Sequence, residues 1–350
     1  MKDILMHANK IADKSVSVIG EERERYTRLL DKAVEVFNKQ LEDIERRCSD
    51  RKENPEDLLN SVVDTVNSVI EIIEKYEIAV DYDKDILREA RVKFLEKTNP
   101  ILSNSYCINR ARTWPQGYQG DYKTLEVIYR NSPMSEGIGY YLDRYALSST
   151  LAVAVRERIV KLQEILREEL IARESPKVLD IACGSCREIH GLVTEIRRSE
   201  ARFTCIDLDS DALNFAMDRL SYTDISPEQI QFFKYNALRM FDHELNMEEF
   251  GMQDIIYSVG YFDYLPDDFL VKILNALYML LKPGGRLIAA FKDTERYRYQ
   301  DFHWIVNWDG FLQRYEDDFD RLFNQAEIPQ SVLLKTREKT GVIIFYIATK

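Results

Sequence analysis

The chain has 350 residues, a length typical of two domains or of one large domain. Its 60 acidic and 48 basic residues give a net charge of −12, which argues against nucleic acid as a partner, because most of the surface would repel phosphates. Five cysteines do not resemble a disulfide framework, and no apolar run could cross a membrane, so a cytoplasmic protein is expected.

Residues 1–170 have the periodicity of amphipathic helices. Apolar residues recur every three or four positions within 26–48, 57–77 and 150–172, which gives each segment one apolar stripe. We expect these stripes to be buried in an N-terminal helical domain that spans 1–170. A partner-binding coiled coil is the alternative, and an exposed stripe within 26–77 would allow a homodimer.

An aromatic segment at 104–145 interrupts the helical pattern. Its runs 114–122 and 137–142 are dense in Gly and Tyr, which predicts loops of special geometry. Such a segment can plug a domain junction, or it can line a pocket as a lid.

After Pro176 short β-rich runs alternate with helical ones. The predicted strands are 178–182, 203–208, 230–235, 254–259 and 286–291, with a closing hairpin of 331–336 and 342–348. Helical patterns at 188–198, 210–221 and 267–281 lie between them. This order predicts an α/β domain over 171–350, with a mostly parallel sheet, helices on both faces and one antiparallel addition.

The first strand ends in a turn of small residues, 182–186, that leads into a helix. Small residues let a ligand approach the backbone, and a helix N-terminus offers free N–H groups. Asp207 ends the second strand, where doubly wound folds place an acid that hydrogen-bonds ribose hydroxyls. Of the glycines typical of a dinucleotide site only Gly184 is present, so a nucleoside without phosphates fits better.

These features resemble the class I S-adenosylmethionine (SAM)-dependent methyltransferases over residues 176–350. The run 178–184 is similar to that family's first motif, and the runs 254–259 and 281–287 are similar to its fourth strand and the turn into its fifth. The resemblance implies a Rossmann-like sheet of seven strands and SAM as the cofactor. It also implies a set of cofactor-binding residues: Asp180, Ala182, Gly184, Asp207, Leu208, Asn236, Ala237 and Ser258, with Arg156 or Arg112 for the cofactor's carboxylate.

Five further runs resemble a bacterial subgroup of that family: 117–122, 154–158, 182–188, 260–265 and 340–342. The subgroup is named after 3-hydroxypalmitate methyl ester synthases, and azetidine-2-carboxylate synthases are similar. It implies small-molecule biosynthesis, with O-methylation of a carboxylate or similar acceptor.

Two other functions stay open. One is a SAM-consuming alkyl transfer, in which the amino group attacks the γ-carbon of the same molecule to give azetidine-2-carboxylate and methylthioadenosine. The other is a regulatory protein that binds SAM as a sensed ligand.

The candidate catalytic residues follow from the same resemblance, which implies that the segment before the first strand covers the methionine part of SAM. The rings of Tyr118 and Tyr122 could hold a sulfonium by cation–π attraction, and Asp121 could contact the amino group. Tyr261 follows the fourth strand at the ligand-binding edge of the sheet. His303 is a candidate base or substrate contact, although a carboxylate acceptor needs no base.

Cys183 and Cys186 allow a different interpretation, because Cys-x-x-Cys between a strand and a helix is also the layout of a thioredoxin-like redox site. A redox site would leave Asp180 and Asp207 without a role. The chain has no second pair with zinc-ligand spacing, so no metal is predicted. We expect both cysteines to be small residues that fit the turn.

Overall fold

The computed structural model describes residues 2–48 and 53–350, with side chains from Glu22 onward. The chain divides into two units. Unit 1 takes the described residues up to Pro115, together with 132–148 and 299–308. Unit 2 takes residues 116–131, 149–298 and 309–350.

The described residues form thirteen α-helices and seven strands. The helices are α1 (Lys2–Cys48), α2 (Pro55–Ala79), α3 (Lys84–Leu102), α4 (Tyr106–Thr113), α5 (Tyr122–Arg130), α6 (Ile138–Ser148), α7 (Thr150–Ile171), α8 (Arg187–His190), α9 (Val193–Ser199), α10 (Ser210–Ser221), α11 (His243–Glu249), α12 (Asp267–Met279) and α13 (Glu316–Gln325). The strands are β1 (Lys177–Ile181), β2 (Arg202–Asp207), β3 (Ile230–Lys234), β4 (Gln253–Val259), β5 (Leu281–Lys292), β6 (Leu333–Arg337) and β7 (Ile343–Thr349).

Unit 1 is a helical bundle built around α1 and α2. Pro55 begins α2, and the Asn54 side chain caps it by accepting a hydrogen bond from the Glu56 N–H at 3.1 Å. The apolar stripes of α1 and α2 pack into one buried core with residues of α3, α4 and α6. The stripe within 26–77 is therefore largely covered by the chain itself, and the homodimer stays a prediction.

The segment 104–145 differs from its prediction as loops, because it contains the three short helices α4, α5 and α6. Local caps explain them: Ser105 accepts from the Ile108 N–H, and Asp121 accepts from the N–H groups of Lys123 and Thr124. Trp114 and Asn131 end α4 and α5 in the left-handed conformation. The high Gly and Tyr content of the segment indicated loops, and so the capping residues were not recognised from the sequence.

Unit 2 contains a seven-stranded sheet in the order β3-β2-β1-β4-β5-β7-β6. The first five strands in chain order are parallel, and β7 lies antiparallel between β5 and β6. The predicted α/β fold, with its closing hairpin, is confirmed. Because β1 lies between β2 and β4, the carboxyl ends of these three strands meet at one edge of the sheet, where open α/β sheets bind ligands.

The helix predicted at 188–198 is divided into α8 and α9 around Gly191. The Gln163 side chain lies against Gly191, where a Cβ would be only 2.0 Å from its Nε2. The same Nε2 donates a hydrogen bond to the Glu188 carbonyl of α8. Gln163 belongs to α7, so a neighbouring helix interrupts this one.

Helix α7 belongs to unit 2, together with the sheet, although the sequence placed it with the helical half. The predicted domain boundary after residue 170 stays a prediction. In the described part of the chain, no helix is both long and apolar enough to cross a membrane.

Candidate functional site

The turn after β1 has an unusual backbone. Ala182, Gly184 and Cys186 all have positive φ angles, of 57°, 55° and 46°. This conformation is strained for residues other than glycine, and such strain often occurs at binding sites. No heavy atom lies within 4 Å of a Cβ built on Gly184, so the space in front of the turn is open to a ligand.

Asp207 connects this turn to the end of β2. Its Oδ2 accepts a hydrogen bond from the Gly184 N–H at 2.8 Å, and its Oδ1 accepts one from the Asp209 N–H at 2.9 Å. Burial raises the pKa of Asp207 above its ordinary value, and these backbone donors oppose the rise. Each carboxylate oxygen can accept a further bond, so ribose hydroxyls can still donate to Asp207.

Asp180, on β1, is 2% exposed, and its Oδ2 has no hydrogen-bond partner. Burial, followed by the charge of Glu188, raises the pKa of Asp180 well above its ordinary value. Tyr257 donates to Oε1 of Glu188 at 3.0 Å. An unpartnered acid oxygen beside an open turn fits a ligand that carries an ammonium group, as SAM does.

The turn is also held from α5, which the sequence did not indicate. Glu126 is 5% exposed, and it accepts hydrogen bonds from Ser185 at 2.7 Å and Arg187 at 3.0 Å. Arg219 lies 2.6 Å from the same carboxylate and donates to the Ser185 carbonyl. Glu126 and Ser185 are 59 residues apart, so no short-range pattern could have paired them.

The three residues predicted from the aromatic segment have different surroundings. Tyr118 is 41% exposed, and its hydroxyl donates to Oδ2 of Asp209 at 2.8 Å, which brings it near Asp207, the predicted ribose-binding acid. Asp121 is buried and caps α5. Tyr122 is buried, with its ring 5.3 Å from that of Phe215 on α10. Their roles toward SAM stay predictions.

The other predicted cofactor residues lie mostly along the same edge of the sheet. Ser258 is buried near the end of β4 and donates to the Ile181 carbonyl at 2.9 Å, which ties β4 to β1. Leu208 is 61% exposed just after β2. Asn236 and Ala237 follow β3, where the Asn236 side chain caps a short 3-10 helix and Ala237 is buried.

The two arginines predicted for a carboxylate have other contacts. Arg156 donates to the Ile128 carbonyl at 3.4 Å, and burial lowers its pKa. Arg112 belongs to unit 1, where it donates to the Ile305 carbonyl at 2.7 Å. A third arginine, Arg158, belongs to the run 154–158 that resembles the subgroup, although the sequence assigned it no role, and it lies against Gly260 at the end of β4.

Tyr261 follows β4 in unit 2 and is half-buried, and burial raises its pKa to about 12. His303 lies in unit 1, buried in a π-helical turn (Asp301–Ile305), with its ring 5.0 Å from that of Tyr299. The catalytic role of each stays a prediction.

Cys183 and Cys186 of the turn form a buried group of free thiols with Cys205 of β2. The sulfurs of the first two and a carboxylate oxygen of Asp180 lie within 4.8 Å of one another. Contact with Cys186 raises the pKa of the Cys183 thiol, and burial raises that of Cys205. A raised pKa favours the protonated thiol, which is a poor nucleophile, so this arrangement fits the expected packing role of the cysteines.

Comparisons with known proteins agree with this geometry. A family model described as a methyltransferase domain matches residues 179–287, which run from β1 into β5. A search of curated proteins found no match. A solved structure described as a possible exported protein from Bordetella parapertussis has a TM-score of 0.54 at 15% identity, covering 92% of this chain and 96% of its own. At that identity the likeness concerns the fold alone.

Two other solved structures are more distant. An O-methyltransferase family protein from Burkholderia thailandensis has a TM-score of 0.42 at 18% identity, with 59% of this chain and 60% of that chain covered. Magnesium protoporphyrin IX methyltransferase from Synechocystis, with bound SAM, has a TM-score of 0.41 at 13% identity, with 57% and 83% covered.

The matched segment contains the turn at 182–186, Asp207 and the strands that bring them together. The open space at Gly184 and the unpartnered oxygen of Asp180 fit SAM, which is the cofactor of this domain type. Residues 179–287 therefore match a methyltransferase domain, and they lie in a unit with a Rossmann-like sheet of seven strands.

Proposed function

We propose that the protein transfers the methyl group of SAM to a small molecule, by O-methylation of a carboxylate or similar acceptor in a cytoplasmic biosynthetic reaction. SAM supplies an electrophilic methyl carbon, and the products are a methyl ester and S-adenosylhomocysteine. The main support for methyl transfer is the methyltransferase-domain match around the open turn at Gly184. The choice of acceptor is supported by the candidate phenols near the turn, because their raised pKa values make them unsuited as bases. A carboxylate acceptor is already nucleophilic and needs no base.

Two phenols carry this argument. Burial, followed by the hydrogen bond to Asp209, raises the pKa of Tyr118 far above its ordinary value. Burial raises the pKa of Tyr261 to about 12. Neither phenol would ionise near neutral pH, so in this proposal both position ligands and neither removes a proton.

The candidate cofactor residues then have distinct tasks. Asp207 and the Gly184 turn hold the nucleoside, Asn236 and Ala237 lie where the adenine would be contacted, and Tyr118 closes the ribose side through Asp209. Tyr261 lines the acceptor side at the end of β4. The domain's work is alignment and the exclusion of water, which supply much of the rate in such displacements.

The test is mass spectrometry of the purified protein incubated with SAM and a panel of hydroxy fatty acids and small carboxylic acids. We expect a methyl ester and S-adenosylhomocysteine in equal amounts, and their loss in Asp207→Ala. Asp211→Ala, at an exposed acid of α10, is the matched control and should keep full activity.

An incubation with SAM alone separates the alternatives. Enzyme-dependent formation of methylthioadenosine together with azetidine-2-carboxylate would show that the protein cyclises SAM, and it would contradict the methyl-transfer proposal. Tight SAM binding without turnover of any acid would favour a SAM-sensing protein.

A further inference from the structure

Arg158 is a buried guanidinium with an unused donor. The side chain lies on α7 and is 4% exposed. Its Nη2 donates to the Tyr129 hydroxyl at 3.2 Å, while its Nε has no hydrogen-bond partner. Among the described residues no carboxylate forms an ion pair with it. A buried cation that meets only a neutral phenol leaves much of its hydrogen-bonding capacity unmet.

The charges around Arg158 do not remove this deficit. Glu188 is close enough to Arg158 for an electrostatic interaction. Its carboxylate, however, accepts a hydrogen bond from Tyr257 and lies beside Asp180. Lys292, a second buried cation near Arg158, forms an ion pair with Asp263. The acids in this part of unit 2 thus have other partners, and the guanidinium is left to bind an anion from outside the chain.

Arg158 lies at the ligand-binding edge of the sheet. Gly260, which follows β4, has a φ of 98°, and a Cβ there would lie 2.7 Å from Nη1 of Arg158. Only glycine lets the guanidinium pack so closely against the strand end. Because β4 pairs with β1, this position is next to the cofactor turn at 182–186.

We propose that Arg158 binds the α-carboxylate of SAM, an inference that rests on the SAM site described above. A planar guanidinium can hold a carboxylate through two parallel hydrogen bonds, which a lysine cannot do. Asp180, with its unpartnered oxygen at the end of β1, is placed for the ammonium group of the same amino-acid end. Tyr129 is then a positioning residue, because its hydroxyl accepts a hydrogen bond from Arg158 and so orients the guanidinium.

The experiment is calorimetric titration with S-adenosylhomocysteine and with its decarboxylated analogue, S-adenosyl-3-thiopropylamine, which lacks only the carboxylate. Arg158→Gln should weaken S-adenosylhomocysteine by about 10- to 100-fold, as expected for a lost charge-assisted pair. It should change the affinity for the decarboxylated analogue less than about twofold, which also shows that the variant is folded. Arg158→Lys should recover part of the loss.

Arg167→Gln is the control, because Arg167 lies on the same helix in a partly exposed pair with Glu195, and it should bind both ligands like the wild type. Equal weakening of both ligands in Arg158→Gln would assign Arg158 a structural role and overturn the proposal. Unchanged binding of S-adenosylhomocysteine would also overturn it, while the SAM site would stand. Failure of the wild type to bind either ligand would contradict the SAM site itself.

Discussion

At the residue scale, two glycines with similar backbone angles allow the cost of backbone strain to be distinguished from an effect on ligand binding. Gly184 and Gly251 have φ angles of 55° and 64°, and neither has a heavy atom within 4 Å of a built Cβ. A side chain at either position forces an L-residue into the left-handed region, which costs roughly 1–2 kcal/mol. Only Gly184 lies in the turn that fits SAM.

We therefore expect Gly184→Ala and Gly251→Ala to lower the free energy of unfolding by similar amounts, about 1 kcal/mol each. Gly184→Ala alone should weaken SAM binding, by about tenfold or more, because the added methyl group occupies the open space at the turn. Urea unfolding and calorimetry measure the two effects. Equal SAM affinity in both variants would show that the ligand does not approach Gly184.

The two phenols lead to a prediction about pH. Because the pKa of Tyr118 is far above its ordinary value and that of Tyr261 is about 12, both stay protonated at neutral pH. The rate constant for methyl ester formation should then be nearly flat between roughly pH 6.5 and 9. A rate that rises about tenfold per pH unit would instead indicate a catalytic base. Ester stability without enzyme is the control.

At the scale of elements, α5 holds the turn at 182–186 through Glu126. Burial alone would raise the pKa of Glu126. Hydrogen bonds from Arg219 and Ser185, together with the charges of Arg219 and Arg187, instead hold that pKa below its ordinary value. A carboxyl with a lowered pKa adds stability above its unfolded pKa, near 4.5, and loses that stability as the pH falls through its folded pKa.

Glu126→Gln should lower the free energy of unfolding at pH 7 by on the order of 2 kcal/mol, because it breaks charge-assisted bonds to a buried acceptor. It should also weaken SAM binding, since Ser185 loses its anchor. The stability difference from the wild type should be complete at pH 6 and should narrow below about pH 4.5.

Glu164→Gln is the matched control, because Glu164 is half-exposed in a pair with Lys161 and should change stability little. A Glu126→Gln variant with wild-type SAM affinity would show that the turn holds its shape without α5.

At the scale of the whole molecule, distant parts of the chain complete unit 1. Glu77 on α2 is fully buried and accepts hydrogen bonds from Tyr299, Gln300 and Trp304 at 2.8–2.9 Å. The acid and the segment 299–308 are more than 220 residues apart in sequence. The helical unit is therefore incomplete until the chain has passed through most of the sheet.

Glu77→Gln should destabilise the protein by about 3 kcal/mol, because it leaves three buried donors facing an amide that can satisfy only some of them. Glu71→Gln, at an exposed position of the same helix, should have almost no effect. Thermal unfolding followed by tryptophan fluorescence measures both. A small effect at Glu77 would mean that segment 299–308 is held mainly by the packing of Trp304 and Ile305 in the core.

Patterns within short stretches determined much of this fold. Alternating apolar runs and small-residue turns predict the strands of the sheet. Gly184 follows β1 and Asp207 ends β2, so both were predicted at the ligand-binding edge of the same parallel sheet. Where a neighbouring element intervenes, such patterns fail. Gln163 of α7 divides the helix after the turn, and the caps within 104–145 form helices in a glycine-rich segment.

Only the tertiary structure decided which side chains share a site. Glu126 meets Ser185 from another helix, Arg158 meets Gly260 across the sheet edge, and His303 lies in the helical unit, although it follows β5 in sequence. Periodicity along a chain encodes which face of an element is buried, and so it predicts elements. The partner of a buried charge depends on how those elements pack, and no local pattern contains that information.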